Sequence, residues 1–265
     1  MRIRPIISSM TPRDLFDDCR LAEAIAAQQV IVRTGTDDGT ERLFLSELLA
    51  FAGRRDDARV VLSQIDQDDP NMADYVAGWK QILTADDARH AGTPANWIIL
   101  PPLDINARAS MLPRLNNGTE DIDRLEELNE EAPWLVGHID GREFDGWRDA
   151  DDILAPVLEA FVGERYVWIP LGQIRKLRCD DERDLRDRLY RPVTVWMTDG
   201  GEWDLIIPAL YTGTATHADE AIRMGADTDW SEVNGVLRGA GLRTFLFGEE
   251  ELAIGEFTQV EIRPS

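Results

Sequence analysis

The sequence predicts an α+β protein, with N-terminal tetratricopeptide-like helical hairpins followed by an α+β domain whose sheet is mostly antiparallel. Three observations predict it. First, a repeat runs through the opening half: Cys19-Arg-Leu-Ala-Glu-Ala24 aligns with Gly53-Arg-Arg-Asp-Asp-Ala58 at an offset of 34 residues, which also pairs Leu15 with Leu49 and Ile31 with Ile65. That period and the small Ala24 and Ala58 fit two-helix units packed closely together. Second, the apolar period changes beyond Ala132-Pro133, where short strand-like runs replace helical stripes. Third, Pro192-Val-Thr-Val-Trp-Met197, Asp199-Gly-Gly and Trp203-Asp-Leu-Ile-Ile207 read as two strands around a tight turn. The expected domains are residues 11–132 and residues 133–265.

Taken in order, Thr11-Pro12 supplies a cap and a first-turn proline for the first helix. Leu43, Phe44, Leu45, Leu48 and Leu49 form one helical stripe, and Val60, Val61, Leu62 and Ile65 another. Pro70 falls where a tetratricopeptide unit ends. A further helix is expected from Met72 to about Ala88, burying Tyr75, Val76, Trp79, Ile82 and Leu83. After Pro101-Pro102 comes a degenerate third hairpin, Ile105–Leu115 and Gly118–Leu128, turning at Asn117-Gly118. Trp134–Ile139 and Tyr166–Ile169 read as strands. Asp151–Phe161 reads as a helix interrupted by Pro156, with Asp149, Asp151 and Asp152 at its N-terminus, where negative charge suits the helix dipole. Pro170, Pro192 and Pro208 read as strand-end punctuation. Thr216–Ile222 carries a helical signal, and Leu242–Phe247 with Leu252–Ile262 suggests a second hairpin.

The charge balance restricts the partners. Fifty acidic residues face 28 basic ones, a net charge of −22, which repels a phosphate backbone or an anionic membrane surface. The acids are scattered and read as a solvated surface, with a basic partner as the sharper alternative. No run approaches the ~20 apolar residues of a membrane span, and Met1–Ile7 lacks a signal-peptide core. Two distant cysteines, Cys19 and Cys179, make neither a disulfide framework nor a cysteine-rich metal site. The expectation is a cytoplasmic protein that binds neither nucleic acid nor membrane.

Chemistry is hard to place on this chain. His90, His138 and His217 have no metal-ligand partners at helical or turn spacing, so no metal is expected. Ser110 and Ser231 lack a glycine-framed nucleophile elbow. Gly235-Val-Leu-Arg-Gly-Ala-Gly241 lacks the Gly-Lys-Ser/Thr ending of a phosphate loop and reads as hairpin glycines. No catalytic residue or cofactor is expected. Asp227, Asp229, Trp230, Arg238 and Arg243 have two readings. They are a partner-anchoring patch, since Trp and Arg are enriched at interface hot spots, or an internal knot with Arg243 paired to Asp229 or Asp227 and Trp230 sealing the sheet against Ala221-Ile222-Arg223.

The stretch Arg223-Met-Gly-Ala-Asp-Thr-Asp-Trp230, followed by Gly239-Ala-Gly-Leu-Arg243, resembles the C-terminal signature of the ImpE/TagJ family, accessory proteins of bacterial type VI secretion. Phe144-Asp-Gly-Trp-Arg-Asp-Ala-Asp-Asp152, Tyr166-Val-Trp-Ile-Pro170 and Ile207-Pro-Ala-Leu-Tyr211 are similar to that family in the same order. Ala226 and Leu242 depart from its pattern, which commonly has Arg and Gln there. The resemblance implies a non-catalytic adaptor that binds the small subunit of the contractile sheath through that subunit's N-terminal helical segment, with an influence on sheath handling by the disassembling ATPase. The residues alone lead as far as a cytoplasmic adaptor with helical repeats. Its candidate contacts are Leu45, Leu49 and Trp79 in a groove of the repeats, with core packing the other reading of each, and Asp229, Trp230 and Arg243 are the competing surface. The alternatives are a repeat adaptor of another assembly, or an enzyme acting on a cationic small molecule through the α+β domain. Carboxylates with perturbed pKa values lining a deep pocket would favour the enzyme, and an exposed apolar groove the adaptor.

Overall fold

The computed structural model describes residues 10–35, 39–91, 122–233 and 235–263. The chain opens with α1 (Pro12–Asp17), α2 (Leu21–Thr34), α3 (Thr40–Phe51), α4 (Arg55–Leu62) and α5 (Pro70–His90). Thr11 starts α1 as expected. Its hydroxyl accepts from the Asp14 N–H (3.1 Å) and the Asp14 carboxylate accepts from the Thr11 N–H (2.8 Å), a reciprocal cap.

The repeat is present in backbone detail. Cys19 and Gly53, 34 positions apart, are both left-handed turn residues (φ 56° and 69°). The N–H groups of the residues that follow, Arg20 and Arg54, bond back to the carbonyls of Leu15 and Leu49 at 2.9 and 2.8 Å. Each of those arginines then pairs with an acid three residues on, Glu23 and Asp57. Ala24 and Ala58 are fully buried where side chains larger than a methyl would push the helices apart. Helices α1 and α2 therefore correspond to α3 and α4. Val60 departs from the expected stripe and stands 56% exposed, because α4 turns only Ala58 and Leu62 fully inward. The Ile105–Leu115 helix, Pro101-Pro102, Asn117-Gly118, Ser110 and Met1–Ile7 lie outside the described residues. Helix α6 (Ile122–Glu130) buries Leu125 and Leu128.

Thereafter the chain is mostly strand: β1 (Val136–Ile139), β2 (Arg142–Asp145), β3 (Trp147–Asp149), β4 (Val157–Val162), β5 (Arg165–Pro170), β6 (Ile174–Cys179), β7 (Tyr190–Met197), β8 (Glu202–Pro208), β9 (Thr228–Val233), β10 (Val236–Gly241), β11 (Thr244–Phe247), β12 (Glu250–Ala253) and β13 (Gln259–Ile262). Eight of them form one antiparallel sheet in the order β2-β1-β13-β6-β7-β8-β4-β5; β12-β11-β3 and β10-β9 form two small sheets. The Asp199-Gly-Gly turn joins β7 to β8 as expected. The second expected hairpin is realised only as β11–β12, since β13 leaves it to insert between β1 and β6. Pro192 lies inside β7, not at its end, whereas Pro170 and Pro208 do close their strands. The helical signal after Thr216 shrinks to a 3-10 turn (Thr214–Thr216) and α7 (Glu220–Arg223), capped by Asp219.

One expectation is overturned. Residues 151–161 are not a helix: a turn over 151–156 leads into β4. Strand β4 sits between β5 and β8 and is buried on both faces, so its side chains show no alternation for a sequence reading to detect. Its two faces nonetheless have different neighbours. Val157, Glu159 and Phe161 have the parity that meets the helices, joined by Tyr166 and Trp168 of β5 in one core with Trp79, Leu83 and Ala85 of α5. Leu158, Ala160, Val167 and Ile169 face a second core, closed by Trp147, Phe245, Phe247 and Phe257. The first core runs without a break across residue 132, from the repeats onto the sheet.

Candidate functional site

At the centre of the helix–sheet contact, charged groups are buried where the apolar surroundings would admit them only if paired. Glu159 projects from β4 toward α5, and Arg89, in the last turn of α5, meets it with two bonds of 3.1 and 3.0 Å. Arg89 also donates to the Leu210 carbonyl at 2.8 Å. Arg243, wholly buried, donates to the same Glu159, to Asp149 at 2.6 Å and to the Pro208 carbonyl at 3.0 Å. The hydroxyls of Tyr166 and Tyr211 donate to Glu159 and to Asp149 respectively, and the Trp168 indole donates to Tyr166. A second link lies beside it, where the Tyr190 hydroxyl donates to Asp86 of α5 at 3.0 Å.

The ionisation of these groups follows from their neighbours. Burial alone would raise Glu159, but the charges of Arg89 and Arg243 outweigh it and hold its carboxyl well below the usual range. Burial pushes Asp149 up to about 7, with Arg243 pulling the other way and nearby Asp151 adding to the rise. A carboxyl poised near neutrality is a candidate general base on chemistry alone. Here both oxygens of Asp149 are taken by Tyr211, Arg243 and the Asp151 N–H, and the side chain is fully buried. The adjoining cavity, between Asp86, Arg89 and Tyr211, is about 30 Å³, room for roughly one water. The arrangement clamps secondary structure together.

The predicted constellation is therefore split. Arg243 pairs with Asp149 and Glu159, not with Asp229 or Asp227, because it is buried in the link between β10 and β11 while those two acids are exposed at the start of β9. Asp229 instead meets His217 at 3.1 Å. Trp230 is half-buried and packs edge-on against the Tyr211 ring (5.7 Å between centroids). The three aspartates cap no helix. Asp151 accepts from the Ile153 and Gly239 N–H groups and from Arg238, Asp152 accepts from the Leu237 N–H, and Asp149 holds the Asp151 N–H, so they pin the turn before β4 to strand β10. Gly239 belongs to that hairpin and is glycine for want of space, since a Cβ there would lie 2.4 Å from the Tyr211 ring.

Leu45, Leu49 and Trp79 lie in the core, the other reading the sequence left for them, at 4%, 1% and 0% exposure. The Trp79 indole donates to Ser46 at 2.9 Å. None of the three presents a surface to a partner. Among the described residues no cluster of three or more His, Cys, Asp or Glu is placed to hold a metal ion, and no helix is long and apolar enough to cross a membrane. Sequence reasoning missed Arg89, Glu159, Tyr166 and Tyr211. One signal was available: Glu159 is the lone charge in the apolar run Val157-Leu-Glu-Ala-Phe-Val162.

The surface is open elsewhere. An apolar groove of about 280 Å³ lies where the end of α6 meets β3, lined by Trp134, Trp147, Pro156, Leu171 and Leu246, with Arg148 at its edge. Trp134 stands 74% exposed beside it. Its indole N–H is held by Asp145 at 2.6 Å, and its ring rests on Gly146, where a Cβ would come within 3.0 Å.

Comparison with known proteins agrees with this architecture. Residues 141–261 match the model of the family described as ImpE protein. The type VI secretion system accessory component TagJ of Pseudomonas aeruginosa is 28% identical over 270 residues, covering 97% of this chain and 92% of that protein. The crystal structure of protein VPA1032 from Vibrio parahaemolyticus has the same fold, with a TM-score of 0.86 at 20% identity over 96% of this chain and 98% of that one.

Proposed function

We propose, from the match of residues 141–261 to the ImpE protein family, that the protein is an accessory component of type VI secretion that works in the cytoplasm by holding a partner segment, not by catalysis. The partner we assign is the small subunit of the contractile sheath, engaged through its N-terminal helical segment.

The observation that carries this reading is the groove beside Trp134. A large aromatic side chain left 74% exposed, yet fixed by a hydrogen bond and a glycine beneath it, is a pre-ordered anchor. The apolar groove next to it suits the apolar stripe of an amphipathic helix. Asp149 and Glu159, the carboxylates of the buried network, are shut inside the core. The chain's net charge of −22 suits a helix whose flanks are basic.

The experiment is a titration of the full chain with a peptide of the sheath subunit's N-terminal helix, followed by calorimetry. Trp134→Ala is expected to cost at least about 2 kcal/mol, roughly 30-fold in Kd, with an unchanged unfolding midpoint. Unaltered affinity in that variant removes the groove from the reading. No binding by the unmodified chain removes the partner.

A further inference from the structure

Stacked two-helix repeats offer a partner the face lined by one helix of each unit. In this chain that face is occupied from within. The link between β6 and β7 leaves the ladder beyond the Cys179–Val193 pair and returns to the sheet at Tyr190, opposite Pro208. Inside the link, Leu185–Arg188 coil into a 3-10 turn with Asp184 before it. The turn meets the alternate helices α1, α3 and α5. Arg188 lies 3.7 Å from Asp17 of α1, and the charges of Asp184 and Arg186 act on Glu47 of α3. The Arg186 guanidinium lies over the rings of Tyr75 and Trp79 of α5, at 4.4 and 5.8 Å from their centroids. The Tyr75 hydroxyl donates to Asp184 at 2.9 Å, and Leu185, 3% exposed, enters the core shared with the helices.

This occupant fits through its leucine and arginine, and poorly through its acids. Tyr75 has one hydroxyl proton, yet two carboxylates approach its oxygen, Asp184 at 2.9 Å and Glu47 at 3.3 Å, so one of them goes without. Burial first, and the charge of Asp184 next, push the Glu47 carboxyl up to about 7. One oxygen of Asp184, one of Asp187 and the Arg191 Nε–H are buried without a hydrogen-bond partner. Such atoms are a cost of holding the link down. The link is an excursion from the sheet, so it can lift with the β6–β7 and β7–β8 ladders intact. We propose that the face of α1, α3 and α5 is a segment-binding surface kept closed by this link. Its outside partner is a segment presenting a leucine followed by an arginine, which takes the places of Leu185 and Arg186. Asp17 and Glu47 face the two arginines of the turn, with Arg13 a lesser charge beside Glu47, so the surface suits a cationic segment. None of these residues lines the Trp134 groove.

The test titrates the full chain into a labelled, doubly capped peptide of residues 181–189, followed by fluorescence anisotropy. In the double variant Leu185→Gly, Arg186→Gly the link keeps its length and loses both anchors. That variant is expected to bind the peptide at least about tenfold more tightly than the unmodified chain, whose own link competes at a high effective concentration. A peptide with alanine in place of the leucine and arginine matching Leu185 and Arg186 is expected to bind neither chain. Hydrogen exchange gives a reading that needs no variant. The Asp187 and Leu189 N–H groups bond only within the link, to the carbonyls of Asp184 and Arg186. In the unmodified chain their protection is expected to be at least about 100-fold lower than that of the β7 amides, and to fall further with excess peptide. Equal binding by the two chains, no binding by a variant whose far-UV spectrum is native, or protection of the turn amides equal to that of β7 overturns the proposal.

Discussion

Replacing Arg243 by Met tests the buried network directly. Met fills most of the arginine stem's volume, so the loss is electrostatic and not a cavity. Three interactions vanish: the pair with Asp149 at 2.6 Å, the pair with Glu159, and the bond to the Pro208 carbonyl at 3.0 Å. Glu159 keeps Arg89, so the damage falls on Asp149, a fully buried carboxylate left without a cation. Removing one member of such a buried pair costs ~3–5 kcal/mol, which at this chain length lowers Tm by roughly 10 °C. The pH dependence has a definite sign. Burial already raises Asp149 to about 7, above its ordinary value, and Arg243 is what restrains it. Without Arg243 that restraint is lost, and the group stays protonated in the folded state at and above neutrality. The cost is then fully present at pH values above the folded pKa and shrinks as pH falls toward the unfolded value. Urea unfolding followed by tryptophan fluorescence is therefore expected to show the larger loss at pH 8, and at pH 5.5 only the ~1–2 kcal/mol of missing hydrogen bonds. Asp229→Asn, which alters the residue that sequence reasoning paired with Arg243, is expected to leave stability within ~0.5 kcal/mol. If R243M lies within ~1 kcal/mol of the unmodified chain at pH 8, or if Asp229→Asn matches its effect, the network assigned to Arg243 is wrong.

Three further expectations come from other parts of the molecule. Glu47 is buried beside Asp184, and burial foremost raises its carboxyl to about 7; the charged form is a cost above that pH and is relieved as pH falls toward the ordinary value, so Glu47→Gln is expected to stabilise by ~1–3 kcal/mol at pH 8 and by little at pH 5 in the same urea assay. Cys19→Gly, at φ 56° in the turn where the second repeat has Gly53, is expected to stabilise by up to about 1 kcal/mol, and an unchanged or lower unfolding midpoint contradicts it. We place the domain boundary at residues 132 and 133 but expect one cooperative unit, because Arg89–Glu159 and Asp86–Tyr190 span it; far-UV circular dichroism and near-UV aromatic signals should be lost at one urea concentration, and two separated transitions would contradict this.

The repeat was legible in the sequence because it is built from small residues and turns. Ala24 and Ala58 had to be small, and the offset carried over from residues to backbone, although nothing in a cysteine announces the left-handed turn at Cys19. The β7–β8 hairpin was legible because Asp199-Gly-Gly is turn chemistry between two β-rich runs. Strand β4 was not. It has neighbours on both edges and cores on both faces, so its apolar run looks the same as a buried helical turn, and the aspartates before it look like a cap. The site was least legible of all. Arg243 stands out in the sequence, but its partners come from residues 84 and 94 positions away, Glu159 and Asp149. Charge pairing at that separation is decided by the sheet order, which no local pattern contains. The exposure of Trp134 is likewise set by Gly146 and Asp145, brought under it by the turn into β3.

The network and the groove bear on one another through α5 and the sheet. Arg89 fixes the end of α5 on β4, and Tyr190 fixes the same end about one turn earlier through Asp86, so the helical repeats cannot rock on the sheet without stranding charge in the core. Arg243 ties the same Glu159 to Asp149 at the end of β3, the strand whose Trp147 and Arg148 line the groove. Asp149 in turn holds the turn that delivers Pro156 to the groove wall. Replacing these pairs by apolar residues of equal volume would cost little in stability or even add to it. What charge pairs supply that apolar contacts do not is one register: Glu159 is satisfied only when both arginines arrive together. A groove kept in one shape spares part of the ordering cost of binding, and the buried charge pairs that fix the register of α5, β3 and β4 keep the Trp134 groove in one shape.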